Sequence, residues 1–377
     1  MDTPLAAPAT AAVTTPARRL TDRTRVRWLA ERTLPIVLLV LTVLVILIPV
    51  YYVFRTAFAD GADGLRRLLA TDQFWQVLRT TFWLTLGATA VAMVCGVGLA
   101  WFAHRLPPGR RWLGYLPFVP LVVPQLALVT GYTFLLSPRV GFLNSALRHV
   151  PPFRGDETGP IDVYTLPLMI VILGTSLAAF VFLFVRSSLA QLHQDVIDAA
   201  SACGAGSIAV FWRIVLPLIR PALVYGALTV ALLGFGQFTV PLILGRQESI
   251  NVLTTQMYNK LSRYPTDFAL ASAYGVPILA LGLLFLVAQR ILLRGQDRYA
   301  TTSGRSARPL STNGPLAQTL LIVYALLTVV LPVGALIVVS LQPTWVATIH
   351  PGDFTLANYR DVFTNRPDLL TAVWHTL

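Results

Sequence analysis

The chain has 377 residues, of which 55% are apolar and 12% charged, about half the charged share of a soluble domain. That balance excludes an ordinary soluble globular protein. Its only lysine is Lys260, so a phosphate-cradling G-x-x-x-x-G-K-[ST] loop is excluded, and with it ATP hydrolysis by that route.

Residues 1–33 are Ala/Thr/Pro-rich and then Arg-rich, the composition of a disordered tail. Seven charge-free runs follow: Leu34–Phe54, Thr80–Ala103, Trp112–Pro138, Val163–Val185, Pro221–Gly245, Phe268–Gln289 and Pro315–Leu341. Each is long enough to cross a hydrocarbon core of about 30 Å. Backbone groups in lipid must be satisfied within the segment, so the runs are predicted to be helices. The first run is too long for a signal peptide and lacks an A-x-A-like exit. The expected fold class is therefore an all-α polytopic membrane protein of about seven spans.

With the amino terminus cytoplasmic, the inside segments 1–33, 104–111, 186–220 and 290–314 carry 17 Lys/Arg against 6 acids. The outside segments 55–79, 139–162, 246–267 and 342–377 carry 12 against 11. That asymmetry follows the positive-inside rule. It accounts for the net charge of +12 with no need for a nucleic-acid partner.

Along the second run, Ala88, Ala92, Gly96 and Ala100 recur every four residues, a face on which another helix can approach closely. Pro117, Pro120, Pro124, Pro277 and Pro332 fall inside runs, where they remove backbone hydrogen bonds and can kink helices. Cys95 and Cys203 lie in a span and a cytoplasmic segment, which is no extracellular disulfide framework. Arg294–Asn313 is polar, basic and turn-rich, and reads as a cytoplasmic linker over 294–314. The domain order expected is a tail (1–33), a unit of six spans (34–293), the linker and the start of a second unit (315–377). "FWQVLRTTF" at Phe74–Phe82 and "LLTAVWHTL" at Leu369–Leu377 share one polar/apolar layout. The second unit therefore resembles the first and stops as an eighth span begins, as in a fragment of an internally repeated transporter.

Catalytic chemistry is not in evidence. The five histidines are scattered without metal-ligand spacing, no H-E-x-x-H occurs and no carboxylate lies within the seven runs. No catalytic residue, metal site or cofactor is expected.

One segment stands apart. "DAASACGAGSIAVFWRIVLPLIRPA" (Asp198–Ala222) interrupts the apolar runs on the predicted cytoplasmic side. Asp198–Ala202 and Ile208–Ile214 are helix candidates, Gly204 and Gly206 mark a turn, and Pro217 and Pro221 restrict re-entry into the membrane. Phe211, Trp212, Ile214 and Leu216 supply apolar anchors, and Asp198 and Arg213 supply charge. An interfacial amphipathic connector is the plainer account of such a pattern.

The spacing D-A-A-x-x-x-G-A-x-x-x-x-x-F-x-x-I-x-L-P-x-x-x-P resembles the "EAA" loop of ABC-importer permeases. Asp198, Ala199, Ala200, Gly204, Ala205, Phe211, Ile214, Leu216, Pro217 and Pro221 stand at its motif positions, with Asp198 where that family more often has Glu. The resemblance implies the type I importer fold. It also implies a non-catalytic permease in the bacterial inner membrane, whose loop docks on a separate cytoplasmic ATP-binding-cassette ATPase dimer. An external solute-binding protein, a second permease unit and membrane lipid are the other implied partners. "FGQFTVPLILG" (Phe235–Gly245), "VLTTQMYN" (Val252–Asn259) and "RYATTSG" (Arg298–Gly304) look most like the ferric-iron branch of the fused iron(III)/thiamine-type permeases. Thiamine, polyamine, phosphonate and sulfate permeases share the architecture. Gly234, Gly236 and Gln237 are the expected pathway residues, with ordinary helix packing as the alternative. A membrane scaffold that merely docks a partner is the competing class.

Overall fold

The computed structural model of the chain describes residues 22–151, 153–154, 157–191, 199–200, 202–292, 294 and 314–376. Two units are present, Met1–Arg55 and Thr56–Leu377. The first is the body of helix α1 (Asp22–Ala57), whose side chains from Pro35 to Pro49 are all exposed. Such a helix, apolar all round, suits lipid rather than water.

In the second unit the helices run α2 (Ala59–Leu69), α3 (Asp72–His104), 3₁₀ turns at Pro108–Phe118, α4 (Val119–Val122), α5 (Gln125–Leu136), α6 (Phe142–Leu147) and α7 (Leu166–Ala190). Then come α8 (Ser207–Val210), a π-turn at Phe211–Val215, α9 (Leu216–Leu218), α10 (Arg220–Phe235), α11 (Thr239–Leu244), α12 (Leu253–Ser262) and α13 (Phe268–Leu292). Last are α14 (Gly314–Ala325), a second π-turn at Leu326–Val330, α15 (Leu331–Leu341), α16 (Ala357–Asn365) and α17 (Pro367–Thr376). No strand occurs among the described residues.

Five of the spans are long, apolar helices, or seven if each of two bent pairs counts as one crossing. Two bends interrupt the spans, the first at one of the prolines read from the sequence as able to kink a helix. In the third, Pro108–Val122 meets Gln125–Leu136 at 93°. Pro124 lacks an N–H and pushes the residue before it out of helical geometry; Val123 is accordingly extended, at φ −81° and ψ 129°. In the fifth, Phe211–Leu218 meets Arg220–Phe235 at 67°, and the helix breaks again at Gly236–Phe238 before α11.

Both π-turns end two residues before a proline, Pro217 and Pro332. The N–H of Leu216 bonds the Phe211 carbonyl and that of Leu331 bonds Leu326, five residues back in each case. A proline clashes with the carbonyl four residues before it, and widening the helix by one residue relieves that clash.

The core is the seam between α3 and α7. Ala88, Ala92, Gly96 and Ala100 are all buried there, as the four-residue spacing predicts. A Cβ on Gly96 would sit 2.6 Å from the Val181 Cβ, and one on Gly174 would sit 2.6 Å from the Val91 Cβ. Helices meeting at small residues gain backbone-to-backbone packing where no hydrophobic drive exists. α10 lies against both helices. A second cluster joins α2, the start of α3, α12 and α13 through Leu68, Phe74, Val77, Leu253, Ala273 and Tyr274.

The run at Gly314–Leu341 packs within this same unit rather than apart from it. The Tyr324 hydroxyl donates to the Thr175 carbonyl (2.9 Å) and that of Tyr132 to Leu327 (3.2 Å). Gly131 of α5 lies so close to α15 that a Cβ would fall on the Pro332 carbonyl. The predicted linker, Arg294 and Gly314 apart, lies outside the described residues.

Candidate functional site

α3 fixes the two ends of the site. Its final turn, at Trp101 and His104, abuts the loop after α7, and its first turns, at Gln73 and Gln76, line a cavity at the other end. From Gln76 to Trp101 is about 38 Å at 1.5 Å per residue, a full membrane thickness. Loop and cavity therefore lie at opposite ends of the bundle.

In the loop, Asp198 lies outside the described residues. Ala199, Ala200 and Ala202 are helical, and the helix closes in a left-handed turn. The N–H of Ala205 bonds the Ala200 carbonyl (3.1 Å), six residues to one, with Gly204 between them at φ +84°. That is the Schellman stop, and its left-handed position is the reason for glycine. Nothing lies within 4 Å of where a Gly204 side chain would begin, so the requirement is conformational alone.

After Gly206 the chain re-enters helix, and the motif residues divide by role. Val210, Val215 and Ile219 are buried, while Ala200, Ala205, Phe211 and Leu216 pack partly buried against the main core. Each fully buried aliphatic contributes on the order of 1.5–3 kcal/mol where the alternative is water. The Phe211 ring lies 4.7 Å from that of Trp101, whose other neighbour is the Arg105 guanidinium at 4.1 Å. Burial pulls the Arg105 pKa below its ordinary value. Phe211 and Leu216 thus hold the loop to the bundle. Ile214 is half-buried, whereas Ala199, Cys203, Gly204, Trp212, Arg213, Pro217 and Arg220 are exposed. Trp212, read from the sequence as an anchor, faces outward at 62% exposure, while Pro221 is half-buried in the first turn of α10.

At the far end of α10 the helix stops at Gly236. The Thr254 hydroxyl donates to the Gln237 carbonyl (2.6 Å), and the Thr81 hydroxyl accepts from the N–H of Leu253 (3.0 Å). The first satisfies a carbonyl that the break releases and the second the N–H that opens α12, as apolar surroundings demand. Gly234 is a packing glycine, since a Cβ there would lie 3.0 Å from the Thr85 Cγ2. Gly236 is exposed, and a Cβ there would make only ordinary contacts, 3.8 Å from the Leu232 and Leu233 carbonyl oxygens. Gln237 is buried, and its Nε2 has no hydrogen-bond partner among the described residues; the same holds for the Thr85 Oγ1. Of the three pathway candidates, Gln237 is the one with unspent polar capacity.

Beyond the break lies a cavity of about 710 Å³, walled by α12, the flanking loops and the first turns of α3. Arg246, Lys260 and Arg263 line it together with Gln73, Gln76, Asn251, Gln256 and Asn259, and no carboxylate does. The sequence reading did not gather these residues, although the solitary lysine was a signal. Beside it, Arg67 of α2 bonds Asp267 at 2.6 Å and Asp63 at 2.8 Å. Burial pushes the Asp267 carboxyl up, but the Leu270 N–H, Arg67 and the Lys260 charge together hold it below the usual carboxylate value. Among the described residues no three His, Cys, Asp or Glu side chains gather as metal ligands.

The chain is 26% identical over 268 residues to the ferric transport system permease protein FbpB of Actinobacillus pleuropneumoniae, covering 70% of this chain and 38% of that protein. It is 28% identical over 263 residues to the spermidine/putrescine transport system permease protein PotB of Escherichia coli strain K12, covering 66% and 92%. It thus spans well under half the length of the ferric relative. A bacterial ABC transporter involved in the import of the acidic polysaccharide alginate has the same fold, with a TM-score of 0.61 at 18% identity over 73% of this chain and 98% of that one. The family of binding-protein-dependent transport system inner membrane components matches residues 20–298, most of the chain, and the chain belongs to it.

Proposed function

We propose that this chain is the membrane-crossing subunit of an ATP-binding-cassette importer, taking solute from an external binding protein and coupling its passage to a separate ATPase. The observation that carries the reading is the loop at 199–221. Its inner residues fasten it to the end of α3, and its outer residues, Ala199, Cys203, Gly204, Trp212 and Arg213, form a surface on the arginine-rich side. An exposed tryptophan beside an arginine is the pairing that anchors protein interfaces. In this reading the loop is cytoplasmic, and Gln237 at the break lines the path, with Gly236 beside it.

Ferric iron is the proposed solute, supported by the ferric relatives and by the Phe235–Gly245 and Val252–Asn259 stretches. The permease needs no metal-ligand cluster of its own if the binding protein carries the selectivity, because a hard cation travels with oxygen ligands.

The test is crosslinking and flux together. A bifunctional thiol reagent should join Cys203, in a Cys95→Ala background, to cysteines placed in the groove of the co-expressed ATPase. Vesicles holding the assembled importer should show ATP-dependent uptake of radiolabelled ferric iron. Uptake of spermidine or thiamine with iron untouched would reassign the solute, and absence of both crosslink and flux would refute the importer reading.

A further inference from the structure

Arg246 follows α11, Lys260 stands in the last turn of α12, and Arg263 is the residue that ends α12. The helix break at Gly236–Phe238 and the short α11 and α12 bring these separated cations to one cavity of about 710 Å³. None of the three is in an ion pair among the described residues. The Asp267 carboxylate, which feels the Lys260 charge, is already held by Arg67. The other polar walls are amides: Gln256 is buried, and Asn259 donates to the Asn251 Oδ1 at 3.3 Å.

From this geometry we propose that the cavity is an oxyanion-binding vestibule, which admits cargo bearing carboxylate or phosphate-type oxygens and turns away free polycations. The inference rests on the permease reading and narrows its substrate class. Two guanidinium forks can each take an oxyanion through paired N–H donors, Lys260 adds a point charge, and the amides supply neutral donors. A cleft lined by one sign of charge concentrates the opposite sign at its mouth. A bare polyamine meets three cations here and no lining carboxylate. Ferric iron enters this vestibule only inside an anionic oxygen-ligand shell, so the anion belongs either to the solute itself or to the shell around a metal.

The experiment uses the full chain, purified in detergent, and three probes at constant ionic strength: inorganic phosphate followed by ³¹P line-broadening, citrate by titration calorimetry, and spermidine by calorimetry. Saturable binding of phosphate or citrate is expected, weakening with added salt. Each of Arg246→Gln, Lys260→Gln and Arg263→Gln should lower affinity roughly three- to tenfold, and the triple variant should abolish binding. Binding of citrate alone assigns a polycarboxylate, and binding of phosphate alone a phosphoryl oxyanion. A second readout needs no variant. Lys260 carries the sole ε-amine, so the anion should slow its acetylation, measured on the peptide by mass, while tetramethylammonium chloride at equal ionic strength should not. Equal anion binding by the native chain and the triple variant, or spermidine binding that displaces the anion, overturns the proposal. Loss of ATP-driven flux with anion binding intact would count against the permease reading and leave the vestibule standing.

Discussion

Replacing Gly204 by alanine isolates the loop's backbone from its contacts. Gly204 sits at φ +84°, where an L-residue costs about 1–2 kcal/mol over glycine. A methyl there meets no atom within 4 Å, so sterics add nothing and the whole penalty falls on the left-handed turn. The Ala205-to-Ala200 bond that closes the helix depends on that turn. A cost of about 1–2 kcal/mol shifts the closed loop's population roughly 5- to 30-fold. Gly206→Ala is the matched control, since Gly206 has equally open space and no positive φ; it should be neutral or stabilising by about 0.4–1 kcal/mol through the unfolded chain. Amide hydrogen exchange at Ala205 reads the closure, and solute-stimulated ATPase of the assembled importer reads the coupling. Gly204→Ala should speed exchange and depress the ATPase, with Gly204→Val more severe on both. If the two alanine variants exchange and couple alike, the turn does not position the docking surface.

Cys203 is exposed and reports topology directly: with Cys95→Ala, an impermeant maleimide should label inside-out vesicles and spare intact cells, and the reverse would invert the arrangement. Gly131→Ala should block accumulation of folded protein, measured by fluorescence-detected size exclusion, because its methyl would occupy the space of the Pro332 carbonyl; Gly98→Ala, with open space around it, should not. Asp267→Asn should lower the melting temperature near neutral pH. The depressed carboxyl contributes stability above its unfolded value of about 3.9 and loses it as pH falls through the lower folded value. The gap between variant and native chain should therefore hold steady above about pH 5 and shrink below pH 4; a gap that widened in acid would show that Arg67 is not its partner.

Much of the fold was legible from apolar runs and spacing. Charge-free length is a demand of lipid, and each run overlaps a long apolar helix or bent pair. The second span's helix nevertheless starts eight residues before its run, and the fifth's stops ten residues short. The Ala88–Ala100 stripe forecast the α3–α7 seam because a four-residue period leaves one narrow face. Bends were not legible in the same way. Both arms of the 93° turn at Pro124 are apolar, and hydropathy carries no direction. Pro124 marks where the helix can break, but the angle depends on α5 meeting α15 at Gly131, a contact between residues 201 positions apart in sequence. In the loop, the motif named residues without saying which way each one faces. Phe211 and Trp212 are adjacent aromatics, and only the position of Trp101 decides that one packs inward and the other stays out. The cavity was hidden for a related reason. Arg246, Lys260 and Arg263 read as loop charges until two short helices fold them onto one wall.

The absence of proline from α3 has a mechanical consequence. With 33 residues it is a rod about 50 Å long, with the Phe211 contact at one tip and Gln73 and Gln76 at the other. A rod that pivots near its middle moves at both tips. Tilting it by about 5° around its midpoint swings each tip roughly 2 Å, in opposite directions. Under the proposed function, a push on the loop that tilts α3 in this way changes the bore of the cationic mouth, and a solute wedged in that mouth leans on the loop in return.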